Sequence, residues 1–308
     1  MTKTKLGKSK YYVSKIALGT VQFGLDYGFS KKKSQLEVDS ILDCASHNGI
    51  NFIDTAREYG DSEKKIGNYL SRHSNEFIIA TKLKKISETE IKSLSSRDII
   101  YSSIDESLKQ LKLQNLHVLQ LHQTDEYLVN KEIFWNTISD LKKNRTLGAF
   151  GVSVYDTKET LKMAENYGDI IDFFQVPYNI FDRRFETLNN FLDKHSISLI
   201  SRSTFLKGII PCEISELPIE LKELKPYKEK LQKKASVLNM NVSELAMLYV
   251  YCSKYMSSIL LGVNNAIELK SNIDVIKKRS CSGLEKVDFT DILVENSLLI
   301  DPRKWTGF

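Results

Sequence analysis

Asn51-Phe52-Ile53-Asp54-Thr55-Ala56-Arg57-Glu58-Tyr59-Gly60 is a short apolar run that breaks abruptly into polar residues. A run of this length bounded by a turn reads as a buried strand, Asn51–Asp54. The same pattern recurs on either side of it. Ile16–Thr20 precedes it, and Phe77–Thr81, His117–Leu121, Ala149–Val154, Phe173–Val176, Ile197–Ser201 and Ser258–Leu261 follow, eight strands in all. Amphipathic stretches lie between them. Leu36–His47 carries Ile41, Leu42 and Ala45 on one face, and Asp98–Leu111 carries Ile100, Ile104, Leu108 and Leu111 at helical spacing. Glu132–Lys143, Thr157–Asn166, Phe185–Lys194, Lys222–Leu238 (bent, or preceded by a loop, at Pro226), Val242–Lys254 and Ala266–Lys277 read as further helices.

Near-continuous apolar strands that alternate with helices belong to a parallel sheet covered by those helices. Eight repeats close a barrel. The competing open sheet lacks its phosphate-binding signals: there is no GxGxxG after the first strand and no Walker A loop. The expected fold is therefore α/β, a single (β/α)8 TIM barrel over residues 1–308. Met1–Val13 is expected to form a short hairpin under the barrel floor, turning at Leu6-Gly7-Lys8. The C-terminal extension Val287–Phe308 is expected to pack as a loop through Trp305.

Composition narrows the function classes. The 308 residues are 42% hydrophobic and hold only 5 prolines, which argues against disorder. The most apolar stretch, Leu245–Leu261, is broken by Lys254, so no membrane span is expected. Basic Met1-Thr2-Lys3-Thr4-Lys5 has no apolar run behind it and does not read as a leader. Forty-four Lys and Arg against 39 Asp and Glu give a net charge of +5. That is too little, and too dispersed, for a nucleic-acid footprint, though it favours anionic ligands. Lys31-Lys32-Lys33 reads as a solvated loop. Cys44, Cys212, Cys252 and Cys281 show no CxxC spacing. They read as reduced thiols, with no metal site, in a cytoplasmic protein.

Barrel chemistry sits at the C-terminal ends of the strands. Asp54 and Tyr59 follow one strand, Lys82 the next and His122 the one after. An ammonium near a phenol favours the phenolate and lowers its pKa. Lys82 needs a counter-charge if buried, which Asp54 can supply. His122 can donate a hydrogen bond to a carbonyl oxygen. The four together can protonate a carbonyl as hydride reaches its carbon, and the hydride must come from a nicotinamide. Singly, each has an ordinary reading: Asp54 a helix cap, Tyr59 packing, Lys82 a solvated lysine, His122 a core histidine. His47, His73, His117 and His195 are read as structural or surface residues.

In these residues the chain resembles an aldo-keto reductase. The match rests on Asp54-Thr55-Ala56-x-x-Tyr59-Gly60-x-Ser62-Glu63-x-x-x-Gly67, Thr81-Lys82, Leu121-His122, Leu18-Gly19-Thr20 and Gly151-Val152-Ser153, and runs from Ile16 to Ile276. The resemblance implies Tyr59 as proton donor, Lys82 paired with Asp54, and His122 positioning the carbonyl. It implies NADP(H) or NAD(H) as cofactor and a small-molecule carbonyl compound as substrate. Ser153 and Gln175 would hold the nicotinamide carboxamide. Gly19, Thr20, Asp54, Arg202, Ser203, Phe205, Lys207, Gly262, Asn264, Asn265, Glu268 and Asn272 would line the remaining cofactor site, with a helix N-terminus near its anionic part.

Three departures from the family pattern stand out. Val154 replaces an asparagine that follows the Ser153 position. Arg202 replaces the aromatic that stacks on nicotinamide; a guanidinium can still stack, and it adds positive charge that hints at an anionic substrate or a cofactor phosphate. Glu268 stands where an arginine often reads the 2′-phosphate of NADPH. It either accepts from the ribose 2′-OH of NADH or caps its helix in Asn265-x-x-Glu268.

Phe23, Tyr27, Tyr155, Tyr178 and Trp305 are the candidate substrate residues. Gly19-Thr20-Val21-Gln22-Phe23-Gly24 and Arg202-Ser203-x-Phe205-Leu206-x-Gly208 resemble a bacterial branch associated with surface-polysaccharide and sugar metabolism. The main expectation is an NAD(P)H-dependent carbonyl reductase, monomeric or weakly associating. A cofactor-binding sensor barrel with little turnover, and an epimerase-like enzyme using nicotinamide transiently, are the alternatives.

Overall fold

The computed structural model describes residues 1–28, 30–74, 76–86, 90, 95–122, 124, 131–279 and 281–306. Two short strands, β1 (Lys3–Lys5) and β2 (Tyr12–Ser14), pair antiparallel as the expected hairpin. Eight parallel strands then close a barrel in chain order: β3 (Ile16–Gly19), β4 (Phe52–Asp54), β5 (Ile78–Lys82), β6 (Leu116–Leu121), β7 (Leu147–Ser153), β8 (Phe173–Pro177), β9 (Ser198–Arg202) and β10 (Ser258–Leu261). Strand β10 returns to pair with β3, which removes both sheet edges. All eight expected strands are present, with ends shifted by at most two residues.

Helices cover the outside: α1 (Val21–Gly24), α2 (Gln35–His47), α3 (Ser62–Leu70), α4 (Ser96–Leu111), α5 (Lys131–Lys143), α6 (Thr157–Tyr167), α7 (Asn189–Lys194), α8 (Lys225–Val237), α9 (Val242–Cys252), α10 (Ala266–Lys278) and α11 (Ser297–Ile300). Helix α3 was not expected from the sequence. The expected helix Phe185–Lys194 is a 3-10 turn, Arg184–Leu188, followed by α7. Pro226 sits in the first turn of α8 rather than inside it, where its missing N–H costs nothing.

The barrel interior has two storeys. The lower is apolar, with one residue from each strand: Ala17, Phe52, Ala80, Val118, Ala149, Phe173, Ile200 and Leu260. Leu6 and Val13 of the hairpin join this cluster and close the floor. Side chains along a strand repeat every two residues. Two positions up from Phe52, Ala80, Val118, Phe173 and Ile200 stand Asp54, Lys82, Gln120, Gln175 and Arg202. The strand register thus turns an apolar floor into a polar ceiling at the C-terminal mouth.

Two sequence expectations are corrected here. Cys252 and Cys281 are joined by a disulfide, so only Cys44 and Cys212 are free thiols. The end of α9 and the 3-10 turn Cys281–Lys286 lie side by side, with a Cα–Cα distance of 5.5 Å, inside the range a disulfide spans. A gap of 29 residues carries no spacing signal for such a pair. Trp305 packs the tail as expected, but its indole N–H donates to the Leu298 carbonyl (2.9 Å), and it is buried away from the barrel mouth. Residues 307–308 of the expected tail lie outside the described residues. No helix among the described residues is long and apolar enough to cross a membrane.

Candidate active site

Asp54 is the hub of the polar ceiling. Its Oδ2 accepts from Lys82 Nζ at 2.6 Å, and its Oδ1 accepts from Gln120 Nε2 at 2.7 Å and Gln175 Nε2 at 2.8 Å. Lys82 also donates to the Thr55 carbonyl at 2.9 Å. Both ions are almost completely buried. Burial pulls the Lys82 ammonium below its ordinary range, and the Asp54 carboxylate opposes that pull. Three donors on one carboxylate are the arrangement a buried ion pair needs to offset its desolvation.

Tyr59 hangs over this pair. The Lys82 ammonium is 5.0 Å from its ring centre, and the His122 ring meets it edge-on at 6.1 Å. The turn that carries Tyr59 is set by backbone contact. Gly60 has φ +55°, and a Cβ there would stand 2.5 Å from the Gly24 carbonyl oxygen. A Cβ on Gly24 would in turn strike the Tyr59 carbonyl, so both positions require glycine.

The electrostatics differ from the sequence expectation at one point. Burial, and then the Asp54 charge, push the Tyr59 phenol well above its ordinary range, while Arg202 pulls it down. Lys82, although its ammonium lies 5.0 Å from the ring centre, does not bring about the expected lowering against these effects. The phenol therefore carries its proton throughout the neutral range. Burial, and then the Lys82, Lys85 and Arg202 charges, push His122 down to about 3. Its ring is neutral and can offer one N–H. Its Nδ1 is buried with no hydrogen-bond partner among the described residues.

These groups line a cavity of about 1520 Å³ that runs from the barrel mouth along α8, α9 and α10. Pockets for a single drug-sized ligand measure roughly 300–1,000 Å³, so this cavity is large enough for more than one such ligand. Gly19, Thr20, Ser153, Gln175, Arg202, Ser203, Phe205, Lys207, Gly262, Asn264, Glu268 and Asn272 all line it, as do Tyr27 and Tyr155. Asn265 is set back as the cap of α10, accepting from the Glu268 N–H at 2.8 Å. Phe23 and Tyr178 are buried in the outer core, and with Trp305 they lie outside the cavity. The Tyr178 hydroxyl is taken by Glu186.

A nicotinamide fits the chemistry of this wall. The Gln175 amide N–H groups are committed to Asp54 and to Gln120 Oε1 (2.9 Å), which leaves its carbonyl oxygen to accept from a carboxamide. Ser153 lies beside it in register and can donate. At Gly262 a Cβ would stand 2.4 Å from Gln22 Nε2, so the Gln22 amide packs directly on the backbone there. Asn272 Nδ2 is buried and has no partner among the described residues.

Arg202 does not project alone. It donates from Nη2 to the Val154 carbonyl at 3.1 Å, and its guanidinium carbon lies 3.7 Å from the Tyr155 ring centre. Two residues that support or line this site carried no sequence signal. Gln120 is fully buried on Asp54 inside a mostly apolar strand, two positions before His122 and on its face. Arg303 lies in the patternless tail, yet its guanidinium carbon is 3.3 Å from the same Tyr155 ring.

The model of the aldo/keto reductase family matches residues 15–284. The chain belongs to the aldo/keto reductase family. Among curated aldo/keto reductase relatives, it is 26% identical to the uncharacterized oxidoreductase YqkF of Bacillus subtilis, over 91% of this chain and 92% of that one. It is also 26% identical to L-galactose dehydrogenase of Arabidopsis thaliana, over 99% and 97%. Identity to L-glyceraldehyde 3-phosphate reductase of Escherichia coli O157:H7 is 21%, over 92% of each. The barrel superposes on the holo form of aldo-keto reductase AKR11C1 from Bacillus halodurans with a TM-score of 0.78, at 21% identity, covering 96% and 99% of the two chains.

Proposed function

We propose that this chain is an NAD(P)H-dependent carbonyl reductase of small aldehydes or ketones. The observation that carries the reading is the Lys82–Asp54 pair sealed beneath Tyr59 and His122 at the closed end of the cavity. The bound cofactor supplies a hydride to the carbonyl carbon. Tyr59 gives its proton to the carbonyl oxygen, so that an alcohol leaves. A developing alkoxide is a stronger base than a phenolate, so this transfer runs downhill even from a phenol held neutral. Neutral His122 orients the oxygen by donating to it. Asp54, Gln120 and Gln175 hold Lys82 against the underside of the Tyr59 ring. Ser153 and Gln175 orient the carboxamide, and with it the ring that bears the hydride.

Two of the curated relatives are named for sugar-type substrates, which makes hydroxylated aldehydes the first class to screen. The disulfide removes the cysteine argument for a reducing compartment. A cytoplasmic setting rests instead on the need for reduced nicotinamide. Consumption of cofactor in step with product separates a reductase from an epimerase-like enzyme, which would use none.

The test is Tyr59→Phe. Turnover should fall by at least about 10²-fold, the usual yield of a positioned acid, while cofactor affinity stays within a few-fold by fluorescence titration. Near-normal reduction by this variant would remove Tyr59 as the acid. Cofactor binding with no turnover in the parent chain would favour a sensor.

A further inference from the structure

Arg202 is half-buried at the barrel mouth and forms no ion pair among the described residues. Its charge reaches Tyr59, Lys82 and His122. Desolvating a guanidinium without a counter-ion is costly. Arg303 stands across the same Tyr155 ring, and its fork is fixed by buried Asp301: Nε donates to Oδ1 at 3.0 Å and Nη2 to Oδ2 at 2.7 Å. That leaves Nη1 of Arg303 without a hydrogen-bond partner among the described residues. Two guanidinium groups thus crowd one aromatic ring; Arg303 has the Asp301 carboxylate as its partner, whereas Arg202 has, among the described residues, only the ring and the Val154 carbonyl, neither of which neutralises it as an anion would. Glu159, an acid of the cavity wall, forms an ion pair with neither among the described residues.

We propose that the substrate is an anionic carbonyl compound, with its carboxylate or phosphate held by Arg202 and Arg303 at the Tyr155 corner. Its carbonyl then lies against Tyr59 and His122. This rests on the carbonyl-reductase reading and names its substrate class. Guanidinium groups suit either anion, since their planar forks bind both bidentately. The cofactor's own phosphates are the other source of such charge. Arg303 enters beside the top of β7, however, whereas the capped N-termini of α9 and α10 line the cavity on either side of β10 in the chain. The anion at the Tyr155 corner therefore belongs to the second molecule in the cavity.

The experiment uses the full chain loaded with NADPH or NADH and two matched pairs. These are glyceraldehyde 3-phosphate against glyceraldehyde, and 4-formylbenzoate against benzaldehyde. In at least one pair the anionic member should show kcat/KM at least about ten-fold higher, and this preference should shrink as salt is raised. Arg303→Met should cut the preference by about ten-fold or more, and Arg303→Lys should restore part of it. The lysine variant and the salt series carry the test if the methionine variant does not fold. Equal turnover of both members in both pairs, or a preference that Arg303→Met leaves intact, overturns the proposal.

If no aldehyde is reduced, the carbonyl-reductase reading fails by itself. The clamp is then judged by quenching of bound-cofactor fluorescence. Tighter binding of 4-formylbenzoate than benzaldehyde, lost in Arg303→Met, supports it, and equal binding overturns it. Loss of cofactor affinity in Arg202→Met with the anion preference unchanged assigns that guanidinium to the cofactor and also overturns the proposal.

Discussion

A histidine held neutral by its surroundings, as the proposed carbonyl-orienting role of His122 requires, leaves a trace in the stability of the whole chain. His122 titrates near 6.5 when unfolded but is pushed down to about 3 in the fold by burial and by the Lys82, Lys85 and Arg202 charges. Between those values the unfolded chain binds one more proton than the folded one. Stability therefore rises with pH in that window and is lost as the solution is acidified below 6.5. Urea unfolding at pH 7 and pH 5 should show the parent losing about 1–2 kcal/mol more than His122→Asn over that interval. Equal losses would mean that the ring is solvated. The residues most legible in the sequence were those at the breaks between apolar runs and polar turns, Asp54, Tyr59, Lys82 and His122. Gln120 was hidden because a strand interior reads as apolar unless its register is known. Trp305 drew attention as a large aromatic in a tail, but burying that ring is what anchors the tail. The polar Arg303 two residues earlier is what reaches the cavity.

Among the elements, strands were easier to read than helices. A strand buried on both faces is a nearly unbroken apolar word. Helix α3 is not: it buries Ser62, Glu63 and Lys65 beside Ile66 and Tyr69, so its inner face mixes polar and apolar letters. Those polar side chains are spent on support, with Ser62 bridging Thr20 and Thr55, and Glu63 taking the Thr81 hydroxyl at 2.6 Å. Helix α10 combines two tasks in one residue. Glu268 Oε2 accepts from the Asn264 N–H at 2.7 Å while its own N–H is capped by Asn265, and the carboxylate also lines the cavity. A carboxylate there repels a ribose phosphate and can accept from a ribose hydroxyl. Glu268→Arg should raise the NADPH-to-NADH affinity ratio at least about five-fold, about 1 kcal/mol. It should also cost the helix up to about 1 kcal/mol of capping. Parallel titrations with both cofactors, with a thermal melt, read the two effects. An unchanged ratio with a lowered melt would leave Glu268 as a cap alone.

At the scale of the whole molecule, barrel closure protects every edge of the eight-stranded sheet, but the outer wall around the cavity has no such device. Helices α9 and α10 contribute Asn241, Glu244, Asn264, Glu268 and Asn272 to that wall, and between β9 and β10 the chain spends two helices instead of one. The Cys252–Cys281 bond ties the end of α9 to the segment just past α10, closing a loop that contains β10 and all of α10. A cross-link over 29 residues restricts the unfolded chain more than the folded one, and is worth about 2–4 kcal/mol in the chain-entropy account. For a chain of this size that corresponds to about 3–6 °C. Adding a reductant, or substituting Cys252→Ser, should lower Tm by that amount in a thermal melt, and Cys44→Ser should not reproduce the loss. Because the tether spans the cleft wall, the reduced protein should also bind NAD(P)H several-fold more weakly. Its extra stability on saturation would shrink in step, since a ligand stabilises only as far as its concentration exceeds Kd. A Tm indifferent to reductant would show that the two thiols are unjoined in solution, and that the packing of Leu245, Leu248, Leu269 and Ile273 alone holds the wall.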